Sequence, residues 1–320
     1  MLNLINMVLY GGMIDQERLD YDQILDFANK YESLDFYSTV VFDHFHPIYS
    51  DDASPYLECW SVLSALARDT SKLKLGSLVT CSSYRHPALA AKISSAVDIL
   101  SNGRLIFGVG SGWYNSEYES YGFSFLNHSN RLKQMTEFTN VVKSLWVDSS
   151  TTFNGDYHSL SNALNYPKPV QKPHPPILIG TQVGGNTILG IIAKLADIAN
   201  IGWNMDHITF TSKIEFLKEQ VKLAGRPTDS VKTSINLDLL IAKNENDLKS
   251  KIKSTSAKFS QRFDSEESYL SKIKNGLIGT PESCSITLDL IKKSGVDMIF
   301  LQPLDSPDYE SVELFAEYLM

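Results

Sequence analysis

Residues 72–122, KLKLGSLVTCSSYRHPALAAKISSAVDILSNGRLIFGVGSGWYNSEYESYG, constrain the fold more than any other stretch. Residues 72–79 form a short apolar-rich run that ends in small and polar residues, the pattern of a strand. His86-Pro87 opens a helix, because proline suits the first turn, where its missing N–H leaves nothing unsatisfied. Leu89, Ile93, Val97 and Leu100 recur at helical spacing and predict a single apolar stripe. Ser101-Asn102-Gly103 closes the helix, with glycine suited to the left-handed position just past its end. Residues 105–109 are nearly continuously apolar, as in a strand buried on both faces. The loop after them, GVGSGWYN, carries glycines that let backbone N–H groups approach a ligand. A strand–helix–strand unit whose polar loops both follow strand C-termini is a parallel unit with its chemistry on one side.

The same alternation runs through the chain. Residues 2–10 read as a first strand, after which Gly11-Gly12 opens a loop. Residues 19–31 are helical, residues 38–42 (STVVF) form a second buried strand, and residues 57–68 a second helix. Leu132, Met135, Phe138, Val142, Leu145 and Trp146 share one face of a long helix over residues 130–146. Asn154-Gly155 between short β-type runs signals a hairpin. Residues 162–176, NALNYPKPVQKPHPP, are a proline-rich connector. Strands follow at 176–180, 197–201 and 231–241, the last carrying Ser234, Asn236 and Asp238, with helices at 186–195 and 208–224. Residues 243–275, rich in Lys, Ser and Glu, read as an inserted helix pair with a solvated surface. Thr280-Pro281-Glu282 caps a helix that Gly295 stops. Residues 297–302 are the eighth strand and residues 309–318 a closing helix. Eight strands alternating with helices predict one (β/α)8 barrel domain spanning residues 1–320, with insertions after strands four and seven.

Size and charge narrow the function. A chain of 320 residues with 43 % apolar residues suits a barrel of this kind. A net charge of −8 without a Lys/Arg cluster argues against a nucleic-acid partner. Cys59, Cys81 and Cys284 are far apart and lack metal-ligand spacing, so no metal site and a reducing, cytoplasmic compartment are expected. Neither a leader pattern at the N-terminus nor an apolar run of about 20 residues is present, so no membrane partner is expected.

In a barrel of this class the loops at the strand C-termini carry the site. That rule collects Asp43-His44, Thr80-Cys81, residues 111–115, residues 181–187, residues 202–204 and Gln302 at one mouth. GVGSGWYN and GTQVGGNT can each offer several backbone N–H groups, and the second leads into a helix N-terminus, a natural anion site. The alternative for either loop is a set of tight turns. GVGSGW is not GxGxxG and follows the fourth strand, which argues against a Rossmann fold.

FDHFHP (42–47), LGSLVTCSSYRHPALAAK (75–92), LSNGRLIFGVGSGWYNSEYESYG (100–122), PKPVQKPHPPILIG (167–180), ADIANIGWN (196–204), IGTPES (278–283) and SGVDMIFL (294–301) together resemble the luciferase-like monooxygenase superfamily. Within it, DHF after the second strand resembles the branch of oxidoreductases dependent on the deazaflavin coenzyme F420. The usual glycine before the second strand is replaced by Asp35, at a helix end.

The resemblance implies a coenzyme ring lying across the mouth, its phosphate on the Gly-rich loops, and a non-prolyl cis peptide at Leu78–Val79 behind the ring. The implied cofactor-binding residues are Asp43, His44, Leu78, Val79, Thr80, Cys81, Ser111, Gly112, Trp113, Asn115, Gly180, Thr181, Gly184 and Gly185. His44 is the expected acid or base, with Asp43 orienting the imidazole or touching the ring. The chemistry agrees, since moving a hydride from an alcohol also removes a proton and histidine titrates near neutrality. The plain alternative is a loop-capping Asp43 and a packed His44. Trp113, Tyr114 and Trp203 are candidate substrate-binding aromatics or rim packing. Arg85 and Arg104 are expected to be held by carboxylates or carbonyls outside the reacting centre, and Asp98 and Asp197 to be solvated or partners of helix ends. Dimeric relatives imply a homodimer. Three functions remain open: a deazaflavin-dependent oxidoreductase acting on a small organic substrate, a monooxygenase using reduced FMN, and a non-catalytic flavin-binding paralogue.

Overall fold

The computed structural model describes residues 7–48, 53–260 and 263–320. Among these, eight parallel strands close into a barrel. They are β1 (Leu9–Ile14), β2 (Ser38–Val41), β3 (Lys74–Ser77), β4 (Leu105–Gly110), β5 (Ile177–Thr181), β6 (Ile198–Trp203), β7 (Lys232–Ile241) and β8 (Met298–Pro303). Each pairs with the next in chain order, and β8 returns to β1, so the eight strands form a closed barrel. Beyond the cis bond Leu78–Val79, Thr80–Cys81 resumes pairing with β4.

The barrel interior holds Met13, Val40, Leu78, Ile106, Leu178, Ile198, Met298 and Phe300. On β7 the inward positions are polar instead. Ile235, Leu237 and Leu239 face the surrounding helices, so alternation turns Ser234, Asn236 and Asp238 inward. Asn200 on β6 meets them: its Nδ2 donates to Asn236 Oδ1 at 2.8 Å, and Asn236 Nδ2 returns a bond at 3.0 Å. The polar residues that blur β7 as a strand are therefore a satisfied network inside the barrel.

Three sequence expectations need correction. The first strand runs from Leu9 through Gly11-Gly12 to Ile14, so those glycines do not open a loop. A Cβ on Gly12 would lie 2.3 Å from the Tyr31 ring, and one on Gly11 would lie 2.5 Å from Phe300. Glycine is required here by close packing, not by a turn. The part of the expected strand at residues 2–6 lies outside the described residues.

The helix Pro87–Leu100 buries Ala90, Ala91, Ser94, Ser95, Val97 and Asp98, whereas Leu89 is 52 % and Leu100 39 % exposed. Small residues let this helix approach the long helix His128–Val147, whose Trp146 Nε1 donates to Ala91 O at 3.3 Å. Asp98 is fully buried and accepts from Gln171 N and Nε2 at 3.0 and 2.7 Å, tying the proline-rich connector down.

The inserted helices Glu245–Lys258 and Glu266–Ile273 are present, but their surface is not wholly solvated. Tyr269 and Ile273 pack with Leu240 and Leu304. A short strand, Leu277–Gly279, follows and pairs with the end of β7.

Other expectations match closely. The hairpin Thr151–Asn154 with Ser159–Ala163 is antiparallel, and Glu137 anchors its turn by accepting from the N–H groups of Asp156, Tyr157 and His158. Asp35 has φ +57°, the left-handed conformation that glycine adopts most freely, which is the physical content of that replacement. No helix among the described residues is long and apolar enough to cross a membrane.

Candidate active site

His44 follows β2 at the C-terminal mouth, its side chain 16 % exposed. Its Nδ1 lies 2.8 Å from Glu117 Oε2, and Glu117 is fully buried in the short helix Asn115–Ser120 after β4. Tyr84 OH donates to the same oxygen at 2.6 Å, while the Phe45 N–H donates to Oε1. Burial alone would raise the Glu117 carboxyl, but the His44 ring, Tyr84 and Phe45 hold it below its ordinary 4.5. A carboxylate on Nδ1 fixes the proton there, so Nε2 becomes the working nitrogen. Among the described residues Nε2 has no hydrogen-bond partner.

Asp43 is not the partner of the imidazole. It is buried and forms a fork with Arg85, whose Nη1 and Nη2 reach Asp43 Oδ2 and Oδ1 at 2.6 and 2.8 Å. Cys81 N donates to Oδ2 at 2.9 Å, and Arg85 Nη2 also reaches Glu58 Oε1 at 2.5 Å. Burial pulls the Arg85 guanidinium down, but Asp43 and Glu58 more than compensate and hold its pKa raised. Asp43 thus welds the end of β2 to the Thr80–Cys81 segment, and Glu117, not Asp43, orients the imidazole. Arg85 is held by carboxylates, as expected. Among the described residues the Arg104 guanidinium donates to Thr70 Oγ1 and to backbone carbonyls of Ala67, Thr70, Leu73 and Ser101.

Behind the mouth, Val79 is seated on glycines. A Cβ at Gly108, Gly110 or Gly180 would come within 3.2, 2.6 or 3.0 Å of its methyl groups. Leu78 belongs to the interior cluster, and Thr80 Oγ1 bonds Ser77 Oγ at 2.8 Å. Cys81 Sγ meets Tyr118 OH at 3.1 Å, and burial pushes its thiol up to about 12, so it is an inert packing group. Gly112, at φ +72°, is irreplaceable on space alone, since a Cβ would lie 1.9 Å from Tyr118 OH. Ser111 and Gly112 are half-buried on the same loop, and the Asn115 amide is committed to Glu119 at 2.6 Å.

Aromatic residues surround the imidazole. Trp113 (45 % exposed) and Tyr114 stand edge-on to His44, with ring centroids at 6.1 and 6.3 Å. Trp203 stacks on Phe42 at 6.1 Å, and its Nε1 donates to Asp238 Oδ1 at 2.7 Å. These surfaces can border a flat ring or an apolar substrate.

Gly180 and Thr181 end β5 and lead to Gly184 (φ +60°), whose N–H bonds Thr181 Oγ1 at 3.2 Å. Gly185 then starts the helix Asn186–Leu195. No side chain caps that helix, its first turn has no acidic residue, and nothing lies within 4 Å of a Cβ built on Gly185. Free N–H groups, a positive helix end and open space fit a phosphate. The residues present therefore suit a phosphate-bearing, ring-shaped coenzyme. No cluster able to hold a metal occurs among the described residues.

Sequence reasoning missed Glu117, Asp238 and Asp15. Glu117 lies inside a quoted motif, but no local pattern says that it turns toward His44. Asp15 follows β1 directly, and the rule that strand ends carry the site would have found it had β1 been placed correctly. Burial, then repulsion from Glu17, raises its carboxyl to about 7.

A closed parallel barrel, with a carboxylate-held histidine and an anion-ready helix start at one mouth, defines a coenzyme-dependent barrel enzyme. The model of the luciferase-like monooxygenase family matches residues 7–277, and the chain belongs to that family. Like its named relatives, it is an oxidoreductase. An FMNH2-dependent dimethylsulfone monooxygenase of Pseudomonas putida is 27 % identical over 291 residues, covering 82 % of this chain and 77 % of that protein. An F420-dependent glucose-6-phosphate dehydrogenase of Amycolatopsis mediterranei is 26 % identical over 238 residues, covering 73 % and 69 %. In structure, the chain resembles an F420-dependent secondary alcohol dehydrogenase solved with an F420–acetone adduct, with TM-score 0.83, 21 % identity and 98 % of each chain covered. At that identity the likeness speaks for the fold.

Proposed function

We propose that this oxidoreductase uses the deazaflavin coenzyme F420 and moves a hydride between it and a small organic substrate at the barrel mouth. The observation that carries the reading is the His44–Glu117 pair, with Nδ1 fixed by a buried carboxylate and Nε2 without a partner among the described residues. When bound, the coenzyme supplies the two-electron chemistry. His44 Nε2 takes a proton from a substrate hydroxyl in one direction and returns it to a carbonyl oxygen in the other. Glu117 keeps the tautomer and supports the imidazolium while the proton is held. The uncapped helix start at Gly185 binds phosphate, Val79 backs the ring, and Trp113, Tyr114 and Trp203 border the substrate. Asp43 contributes by fixing the strand ends against each other.

The FMNH2-dependent relative supports a second reading, a monooxygenase using reduced FMN at the same mouth. The experiment that tests the first reading is a screen of alcohols, aldehydes, sugar phosphates and enones with oxidised and reduced F420, followed by coenzyme absorbance. Turnover of a member of that panel supports it, whereas turnover only with reduced FMN and O2 overturns it. A cytoplasmic homodimer completes the proposal. The compartment is supported by three buried cysteines, all unpaired, which suit a reducing environment.

A further inference from the structure

Beside the mouth, Asp15, Glu17, Arg18, Lys258 and Gln302 line a cavity of ≈ 20 Å³. That is room for one water-sized group. Asp15 follows β1 and Gln302 lies in β8, which are paired neighbours, so the cavity opens at the same end of the barrel as His44. Gln302 is 7 % exposed, and its Oε1 is buried without a hydrogen-bond partner among the described residues. A buried acceptor left unmet is costly and calls for a donor.

The donor's chemistry is restricted. A metal cation is disfavoured by Lys258 and Arg18. An anion is disfavoured by Glu17 and cannot donate to Gln302. A hydroxyl oxygen meets both demands, giving its hydrogen to Gln302 Oε1 and presenting a lone pair to a protonated Asp15.

We propose that Asp15 is a second proton-exchanging group of this site, acting on one hydroxyl oxygen held between its carboxyl and Gln302 Oε1. When Asp15 is ionised the held hydroxyl turns its hydrogen from Gln302 Oε1 to the carboxylate, and in the transfer that O–H bond breaks as an O–H bond to Asp15 forms. The electron pair stays on the hydroxyl oxygen, and the reverse step restores it. The groups facing Asp15 are Glu17 and Arg18 from its own loop, His44 after β2, Tyr56 before the second helix and Lys258 from the inserted helix. Burial and Glu17 favour the protonated carboxyl, while Lys258 and His44 favour the carboxylate, so the proton is held near neutrality. The held oxygen belongs either to water or to a substrate, and the substrate source alone rests on the proposed function.

Carboxyl carbon-13 NMR on the coenzyme-free protein tests this, with Asp15→Asn assigning the signal. Asp15 is expected to titrate near neutrality, and a midpoint at the ordinary 3.8 overturns the proposal. Gln302→Leu removes the acceptor and displaces the held oxygen, so the midpoint should shift. An unchanged midpoint overturns the shared oxygen. With F420 bound, 2-propanol should shift the Asp15 signal if the hydroxyl is the substrate's and leave it in place if the oxygen is water. Failure of F420 to bind would remove the proposed function but not the coenzyme-free titration.

Discussion

His44 and Glu117, 73 positions apart, meet at 2.8 Å, so a histidine after β2 is oriented by a carboxylate after β4. Two barrel strands thus set the ring before any ligand arrives. His44→Asn should keep the fold and most coenzyme affinity, because asparagine still hydrogen-bonds. Turnover should fall by about 10²–10⁴, the usual worth of a positioned acid or base. Weakened coenzyme affinity with unchanged turnover at saturation would make His44 a ring-holding residue instead.

Glu117→Gln removes the charge but keeps an acceptor. The carboxyl is held below its ordinary 4.5 in the folded state, so its stabilising contribution is present above that value. That contribution is lost as pH falls through the lower folded value. Urea unfolding should show the variant less stable than wild type at neutral pH, with the gap closing in acid. A gap independent of pH would mean that the charge of Glu117 contributes nothing to stability.

Arg85→Met would strand the Asp43 carboxylate, whose side chain is fully buried. Removing one partner of such a pair costs about 3–5 kcal/mol. Adding Asp43→Asn should recover part of that loss in denaturant unfolding. No recovery would show that Asp43 is not the group left unpaired.

The fold was legible because barrel strands advertise themselves. STVVF, LIFGV and PILIG are buried on both faces and bounded by turns, and the loops after them lie at the mouth by topology. Gly11-Gly12 misled because glycine marks both turns and close packing, and only the position of Tyr31 shows which applies. The apolar stripe of Pro87–Leu100 misled because its buried face is alanine and serine, selected for close approach rather than hydrophobicity. Among site residues, His44 was legible by its place after β2. Its partner was not, since the Glu117 contact depends on how a short helix folds back, which has no local periodicity.

Gly185→Asp would place a side chain and a negative charge at an uncapped helix start, in space now open. Coenzyme affinity should fall while stability barely changes. Wild-type affinity in this variant would mean that the phosphate lies elsewhere.

The most direct measurement is an equilibrium titration of the purified protein with F420, read by quenching of coenzyme fluorescence, alongside a parallel titration with FMN. Saturable quenching by F420 that weakens in Gly185→Asp and persists in His44→Asn is the predicted result. Tight FMN binding with no saturable response to F420 would contradict it.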